Sequence, residues 1–267
     1  MKAIKNFLIR SNGRLWNTIA VLLYGKKVFI KNKNPFVRTI IKSSIPKKFH
    51  DKIKYYKNTI NTAKEEHKNC IFYLEDDGTL IPTEKITGVN ILFSGHGNVI
   101  IISKSCTLSN CKIHLGNNNF CLLEKSLYPI YNLHTISHIN DNGCIIIDKN
   151  FSCHGVIITS EEGKNVFIDE DNMFSYDINM WNTDGHAILD KNGICQNYGI
   201  DIYIGKHVWI GHGVEILKGT YIQDNSLVGA KSVVTGRFNE GNCAIAGNPA
   251  HIIKREITWD RKSPAYF

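Results

Sequence analysis

Acidic residues are almost missing from the start of this 267-residue chain: residues 1–57 hold fifteen Lys and Arg against one acid, Asp51. The remaining residues hold 17 bases and 23 acids, so the overall charge of +8 conceals a basic arm joined to a mildly acidic body. Such an arm suits an anionic partner, whether lipid, nucleic acid or acidic polymer; the alternative is a solvated lysine-rich face. Long apolar runs are missing too. Ile19-Ala20-Val21-Leu22-Leu23-Tyr24 falls far short of the roughly 20 residues that span a bilayer. Gly25-Lys26-Lys27 follows it with no small-x-small cleavage site, against a signal peptide, while a helix lying on a membrane surface stays open. None of the eight cysteines forms a CxxC pair, which points to reduced core cysteines of a cytoplasmic protein and not to a disulfide frame or zinc site. Phosphate loops and dinucleotide fingerprints are absent, so ATP and NAD chemistry have no support; no RNA-binding signature or DNA-reading helix accompanies the basic arm. With 43% apolar and 21% charged residues, the chain is globular.

In the arm, Leu8, Leu15, Ile19, Leu22 and Leu23 share one helical face, and Pro35 and Pro46 divide the region into two or three short helices. Residues 61–90 read as a connector with a strand at 71–74. Beyond residue 90 no long helical period survives. Every sixth residue from 204 is instead a β-branched aliphatic: Ile204, Ile210, Ile216, Ile222, Val228, Val234. Four residues after each of the first five come Val208, Val214, Thr220, Ser226 and Ser232, all small or β-branched. A period of six fits neither an α-helix nor a simple alternating strand. It fits a coil of short flat sides, each turning one aliphatic inward. Three hexads make a triangular coil of about 18 residues, and stacked coils bury the aliphatics in a column. Weaker hexads run through Ile168, Phe174 and Met180; Ile102 and Leu108 start another set, and Gly116-Asn117-Asn118-Asn119 reads as a corner. Residues 121–165 are irregular and are expected to hold insertions or a broken coil.

This repeat resembles that of the left-handed parallel β-helix acyltransferases, over about residues 90–255. Three segments narrow the resemblance: 169–175 with Asn182-Thr183-Asp184-Gly185-His186-Ala187-Ile188; residues 201–211 with Trp209; and Ala246-Gly247-Asn248-Pro249-Ala250 followed by Ile253-Lys254-Arg255. Their order is similar to the hexapeptide-repeat O-acetyltransferases of sugars and bacterial surface polysaccharides, the polysialic acid O-acetyltransferases included. The expected fold is mainly β, with a small, basic, partly helical region at 1–85, the β-helix at 86–255 and a tail at 256–267.

Acetyl transfer to a hydroxyl needs a base, and a histidine titrating near 6.5 suits neutral pH. The resemblance assigns that work to His186, which precedes a polar segment, Asp190-Lys191-Asn192-Gly193, expected to loop out over the site. Asp184 and Asp190 are candidate partners for its ring; either can instead be a turn residue. Trp209, at an outward position, needs a surface to cover: the thioester arm of CoA, as the resemblance implies, or a neighbouring subunit. Gly229, Ala230 and Lys231 let a pantetheine arm lie along the backbone. Asn248 and Pro249 turn the chain out of the coil; Lys254, Arg255 and the weaker candidate Lys218 are bases for CoA phosphates, or simply solvent-exposed. Tyr176 and Trp181 are candidates to stack on sugar rings, or wall residues. Some β-helices bind zinc through three histidines and share Gly211-His212-Gly213, but the histidine they carry five residues on is Leu217 here, so no metal is expected of His207 and His212. His134 and His138 read as structural.

The chain is therefore expected to be an acetyl-CoA-dependent O-acetyltransferase of a bacterial surface carbohydrate. It is expected to work as a cytoplasmic homotrimer, with residues 1–57 reaching an acidic acceptor or the inner membrane face and no role for nucleic acid. Two alternatives stay open: an N-acetyltransferase of a nucleotide-linked amino sugar, and a β-helix scaffold without catalysis.

Overall fold

A computed structural model describes residues 45–61, 68–138 and 142–267. Most of the basic arm, residues 1–44, lies outside the described residues, and with it the helices expected before Pro46. From Ile45 onward the chain forms one compact unit built on a parallel β-helix of three sheets. The nine-stranded sheet climbs from Cys70–Leu74 through Val99–Ser103, Phe120–Leu123, Cys144–Ile147, Asn165–Ile168 and Ile202–Ile204 to Arg237–Phe238. The eight-stranded sheet runs from Leu108–Ser109 through Met173–Phe174 and Trp209–Ile210 to Leu227–Val228 and Ala244–Gly247. The seven-stranded sheet runs from Val89–Phe93 through Ile178–Trp181 to Val233–Val234. The first strand of the nine-stranded sheet, Cys70–Leu74, falls in the stretch read as connector and already pairs in parallel with Val99–Ser103. Antiparallel partners close both ends: Leu80–Pro82 on the first strand, and Ala250–Lys254 on Ala244–Gly247.

The hexads predict the register. Ile204, Ile210, Ile216, Ile222, Val228 and Val234 are all buried in the interior column, as are Ile168, Phe174 and Met180. Tyr203 pairs with Tyr221 and Trp209 with Leu227, a step of 18 residues per coil. Of the two expectations for 121–165, insertions are found and a broken coil is not. Strands Phe120–Leu123, Ile130–Tyr131, Leu133–Ser137, Cys144–Ile147, Ser152–Cys153 and Val156–Thr159 keep all three sheets continuous. The coils there are simply longer: Leu122 pairs with Ile146 and Ile146 with Phe167, so the six-residue frame is lost while the stacking persists. Corners of the coils take left-handed backbone, and asparagine tolerates it better than most residues. Asn110, Asn118, Asn132, Asn150, Asn225 and Asn242 all have φ between 53° and 59°. These corners are the origin of the Asn-rich texture beyond residue 90.

The nine-stranded sheet is apolar on both sides. Ile100, Ile102, Ile145 and Ile147 face the interior column, whereas Val99, Ile101, Cys144, Ile146 and Phe167 belong to a second core outside it. Helix α1, Lys47–Asn61, starts just after Pro46 and covers that second core. Phe49, Ile53, Tyr56 and Ile60 recur at helical spacing and pack on it, with Phe49 5.1 Å from Phe167, ring centre to ring centre. The eight cysteines are free thiols, five of them buried, and burial pushes the Cys121 thiol up to about 12. No helix among the described residues is long and apolar enough to cross a membrane.

Three acids stack beside α1 on successive coils: Glu124, Asp148 and Asp169, all buried. Lys52 Nζ donates to Glu124 at 3.0 Å and to Asp148 at 2.8 Å, while Lys48 pairs with Asp148 and Asp169. Two of the arm's lysines are thus committed to the fold. Burial pushes the Asp148 carboxyl up, but Lys52, the Lys149 backbone N–H and Lys48 together hold it below the usual range. Replacing Lys52 removes the cation from buried Glu124 and leaves Asp148 with Lys48 alone, a change that costs several kcal/mol in comparable sites. Lys52→Met is expected to destabilise the protein by about 3 kcal/mol in urea unfolding at pH 7. A lowered carboxylate stabilises above its unfolded value of about 3.9 and loses that contribution as pH falls through the folded value. The deficit of the variant is therefore expected to shrink in acid.

Candidate active site

The largest departure from regular coiling lies between Ile178–Trp181 and Ile202–Ile204. Ile168 pairs with Ile204 across 36 residues, twice the 18-residue step of the coils above. The surplus forms a loop, residues 182–201, that projects from the corner between the seven- and nine-stranded sheets and carries His186. His186 is exposed.

Neither carboxylate proposed as its partner touches the His186 ring. Asp190 serves its own turn: its Oδ1 accepts from the backbone N–H groups of Asn192 (2.8 Å) and Ile194 (3.0 Å). Asp184 accepts from Asn197 Nδ2 at 2.7 Å and pairs with Lys218. Partial burial pushes the Asp184 carboxyl up, but the hydrogen bonds from Lys218 and Asn197 outweigh it and leave the group below the usual range. Asn197 ties the loop together. Its Nδ2 also donates to the His186 carbonyl at 2.9 Å, and its Oδ1 accepts from the Ile188 N–H at 2.7 Å. Lys218 Nζ donates to the Asn197 carbonyl at 2.9 Å. Below it, Glu162 accepts from Thr183 Oγ1 and, at 2.8 Å, from the Gly199 N–H, gathering both stems. Sequence reasoning missed Asn197 and Glu162: an asparagine in a polar loop and a glutamate at a corner carry no periodic signal.

Trp209 sits in the eight-stranded sheet between Met173 and Leu227 and is 39% exposed. It lies on a different side of the prism from the stem of the His186 loop, and its ring meets Trp259 at 6.2 Å. One coil further on, Gly229 and Ala230 follow Leu227–Val228 at a corner of small residues. A Cβ added to Gly211 would come within 2.8 Å of the Ala230 N and the Val228 O, so that corner tolerates only glycine. Lys231 pairs with Asp177 at 3.2 Å, Arg255 with Glu240 at 2.9 Å, and Lys218 with Asp184. Lys254 ends the antiparallel strand Ala250–Lys254 and is exposed. Asn248 and Pro249, joined by a cis peptide bond, make the turn into that strand. Tyr176 and Trp181 are both exposed but flank opposite ends of Ile178–Trp181. Tyr176 packs on His212, 4.2 Å between ring centres, while Trp181 stands at the root of the loop. His138 stacks on His114, and among the described residues no cluster of His, Cys, Asp and Glu could hold a metal ion.

Known proteins give this geometry a context. A family model described as "Bacterial transferase hexapeptide (six repeats)" matches residues 201–236. The polysialic acid O-acetyltransferase of Neisseria meningitidis is 36% identical over 170 residues, covering 63% of this chain and 78% of that protein. Among solved structures, the polySia-specific acetyltransferase NeuO superposes with a TM-score of 0.56 at 28% identity, over 68% of this chain and 93% of that one. The polysialic acid O-acetyltransferase OatWY gives 0.54 at 28% identity, over 66% and 92%.

The loop has few buried apolar contacts, and its order depends on hydrogen bonds near solvent, features of a region that opens locally. Asn197→Ala is expected to speed proteolytic cleavage within residues 185–196 at least severalfold. The thermal unfolding midpoint should stay within a few degrees of the parent. Unchanged cleavage would remove Asn197 from its place as the tie.

Proposed function

This chain belongs to the hexapeptide-repeat O-acetyltransferases of bacterial surface carbohydrates, and on that premise we propose that it transfers an acetyl group from acetyl-CoA to a hydroxyl of an acidic surface glycan. The observation that carries the reading is the joint presence of an exposed histidine on the only long insertion among the described coils and an exposed tryptophan beside a small-residue corner. His186 removes the proton of the acceptor hydroxyl as its oxygen attacks the thioester carbon. A backbone N–H steadies the tetrahedral oxyanion. Collapse breaks the C–S bond, the acetyl ester stays on the sugar, and the proton held by His186 goes to the departing thiolate. A donor arm fits along Gly229 and Ala230 with Trp209 as its wall. Of the basic residues considered for the CoA phosphates, Lys254 is the best placed, because Lys218, Lys231 and Arg255 are engaged by acids. Asp184 acts on the loop, through Lys218 and Asn197, and not on the imidazole.

The active enzyme is a trimer in this reading. His186 and Trp209 arise from different sides of one prism, so a neighbouring copy supplies the second half of the site. The loop also exposes Ile188, Leu189, Ile194, Tyr198 and Ile200, an apolar band that a second copy would cover. Trp181, at the root of the loop, is placed to stack on an acceptor sugar; Tyr176, at the far corner, is placed only for a long one.

His186→Ala is expected to lower acetyl transfer to polysialic acid, followed by thiol release from acetyl-CoA, on the order of a hundredfold or more, with CoA binding retained. Turnover close to the parent at saturating acceptor would refute the base.

The arm is assigned to the acceptor or to an anionic surface. Ten of its fifteen bases lie in residues 1–44, which contain no acid. A chain beginning at Ile45 keeps α1 and its ion pairs, so it is expected to fold and bind CoA normally. It should lose affinity for long polysialic acid or for anionic vesicles at low salt, and the difference should close as salt screens it. Equal affinities at low salt would sink the assignment.

A further inference from the structure

One corner of the prism, between the nine- and eight-stranded sheets, is a column of left-handed residues: Asn150, Asp171, His207, Asn225 and Asn242, one per coil, each with φ between 51° and 59°. Asparagine is the ordinary occupant. Two positions depart from it, Asp171 and His207, and both of these hold the C-terminal segment. After Ala250–Lys254 the chain turns back and runs down this column toward the earlier coils. The Ile257 N–H donates to the Asn242 carbonyl at 2.9 Å. The Trp259 ring stacks on the His207 imidazole, 4.2 Å between centres and 9° from parallel, and Trp259 Nε1 donates to the His207 carbonyl at 2.8 Å. The imidazole is gripped from both sides, with Nδ1 2.6 Å from Asp171 Oδ2 and Nε2 3.0 Å from the Trp259 carbonyl. Arg261 locks the end of the descent. It donates to Ser152 Oγ (2.8 Å), to the Asn150 and Asn172 carbonyls (3.1 Å each) and to Asp171 Oδ1, and it lies over the Tyr128 ring at 3.9 Å.

We infer that residues 257–261 are a positioning brace for Trp209. The inference rests on the reading of Trp209 as the donor-side wall. Trp209 follows the gripped His207 by two residues, and the buried Trp259 ring, 7% exposed, is the neighbour that its indole meets at 6.2 Å. On a surface with open solvent on one side, an indole at 39% exposure has several orientations available. Fixing the backbone at 207 and setting a second ring against it selects one of them. Trp259 and Arg261 touch no reacting group; they act through Trp209.

Calorimetric titration of the full-length protein with CoA tests this. Trp209→Ala and Trp259→Ala are each expected to weaken CoA binding about five- to tenfold, the scale of one aromatic contact. The double variant should be within about twofold of Trp209→Ala alone, because both changes act on one indole. Trp259→Phe, which keeps a ring on His207, should recover most of the affinity. Should Trp259→Ala fail to assemble, Arg261→Gln keeps the segment's length and is expected to weaken CoA binding in the same direction, with Arg261→Lys in between. Additive losses overturn the brace and leave the donor reading standing. So does parent-like affinity in Trp259→Ala or Arg261→Gln while Trp209→Ala is impaired. Parent-like affinity in Trp209→Ala overturns the donor reading, and the brace falls with it.

Discussion

Every coil of this protein leaves its backbone hydrogen bonds to be completed by the coils above and below. Buried N–H and C=O groups must be paired, and here the partner is never within the same strand. Trp209 N–H reaches Ser226 O, Gly211 N–H reaches Val228 O, and Ser175 N–H reaches Ile210 O. One coil out of register would strand a rung of donors and turn the interior aliphatics outward. The stack therefore fixes the height and direction of each outward residue, and surface chemistry can be varied on it rung by rung.

The same constraint explains where the molecule spends its irregularity. Corners absorb changes in length because they lie outside the ladders. The coils around residues 121–165 lengthen at their corners, and the 182–201 loop leaves from a corner without disturbing the pairing of Ile168 with Ile204. A sheet apolar on both sides would be a liability in a β-helix, since its outer side faces water. Helix α1 resolves that by covering the nine-stranded sheet. Its lysines answer a second problem: Glu124, Asp148 and Asp169 stack at coil spacing and repel one another unless cations lie between them.

Much of this was legible in the residues, and the boundary is physical. Hexads from Ile204 to Val234 declared the fold because the coils there have the minimum 18-residue length, so period and structure coincide. Where coils lengthen, the period disappears although the stacking does not, and residues 121–165 looked broken for that reason alone. His186 and Trp209 were singled out by motif resemblance. The partners were not. Asp184 looked like a companion for His186 on proximity in sequence, yet its carboxylate goes to Lys218, 34 residues away. For His207 no metal was expected, but nothing local showed that its two nitrogens go to Asp171 and Trp259, 36 and 52 residues distant. Contacts made across coils depend on how many residues each corner holds, which no local pattern records.

The two halves of the proposed site differ in how they are held, and the proposed chemistry gives a reason. The donor side rests on ladder hydrogen bonds, a corner that admits only glycine at position 211, and a tail fastened by Arg261. A long, flexible cofactor arm binds best to a surface already in its final shape, because ordering the surface at binding would cost affinity. The base side rests on a loop tied by one asparagine and two carboxylates near solvent. A polymeric acceptor cannot thread into a closed pocket, so the group that deprotonates its hydroxyl has to reach the chain from the side. In the proposed reaction, a loop held mainly by side-chain ties to Glu162 and Lys218 can move out to admit a sugar and return while the strand ladders stay intact. Rigidity on the proposed donor side and compliance on the proposed acceptor side both follow from one architecture, in which sheets bear the load and corners are free to vary.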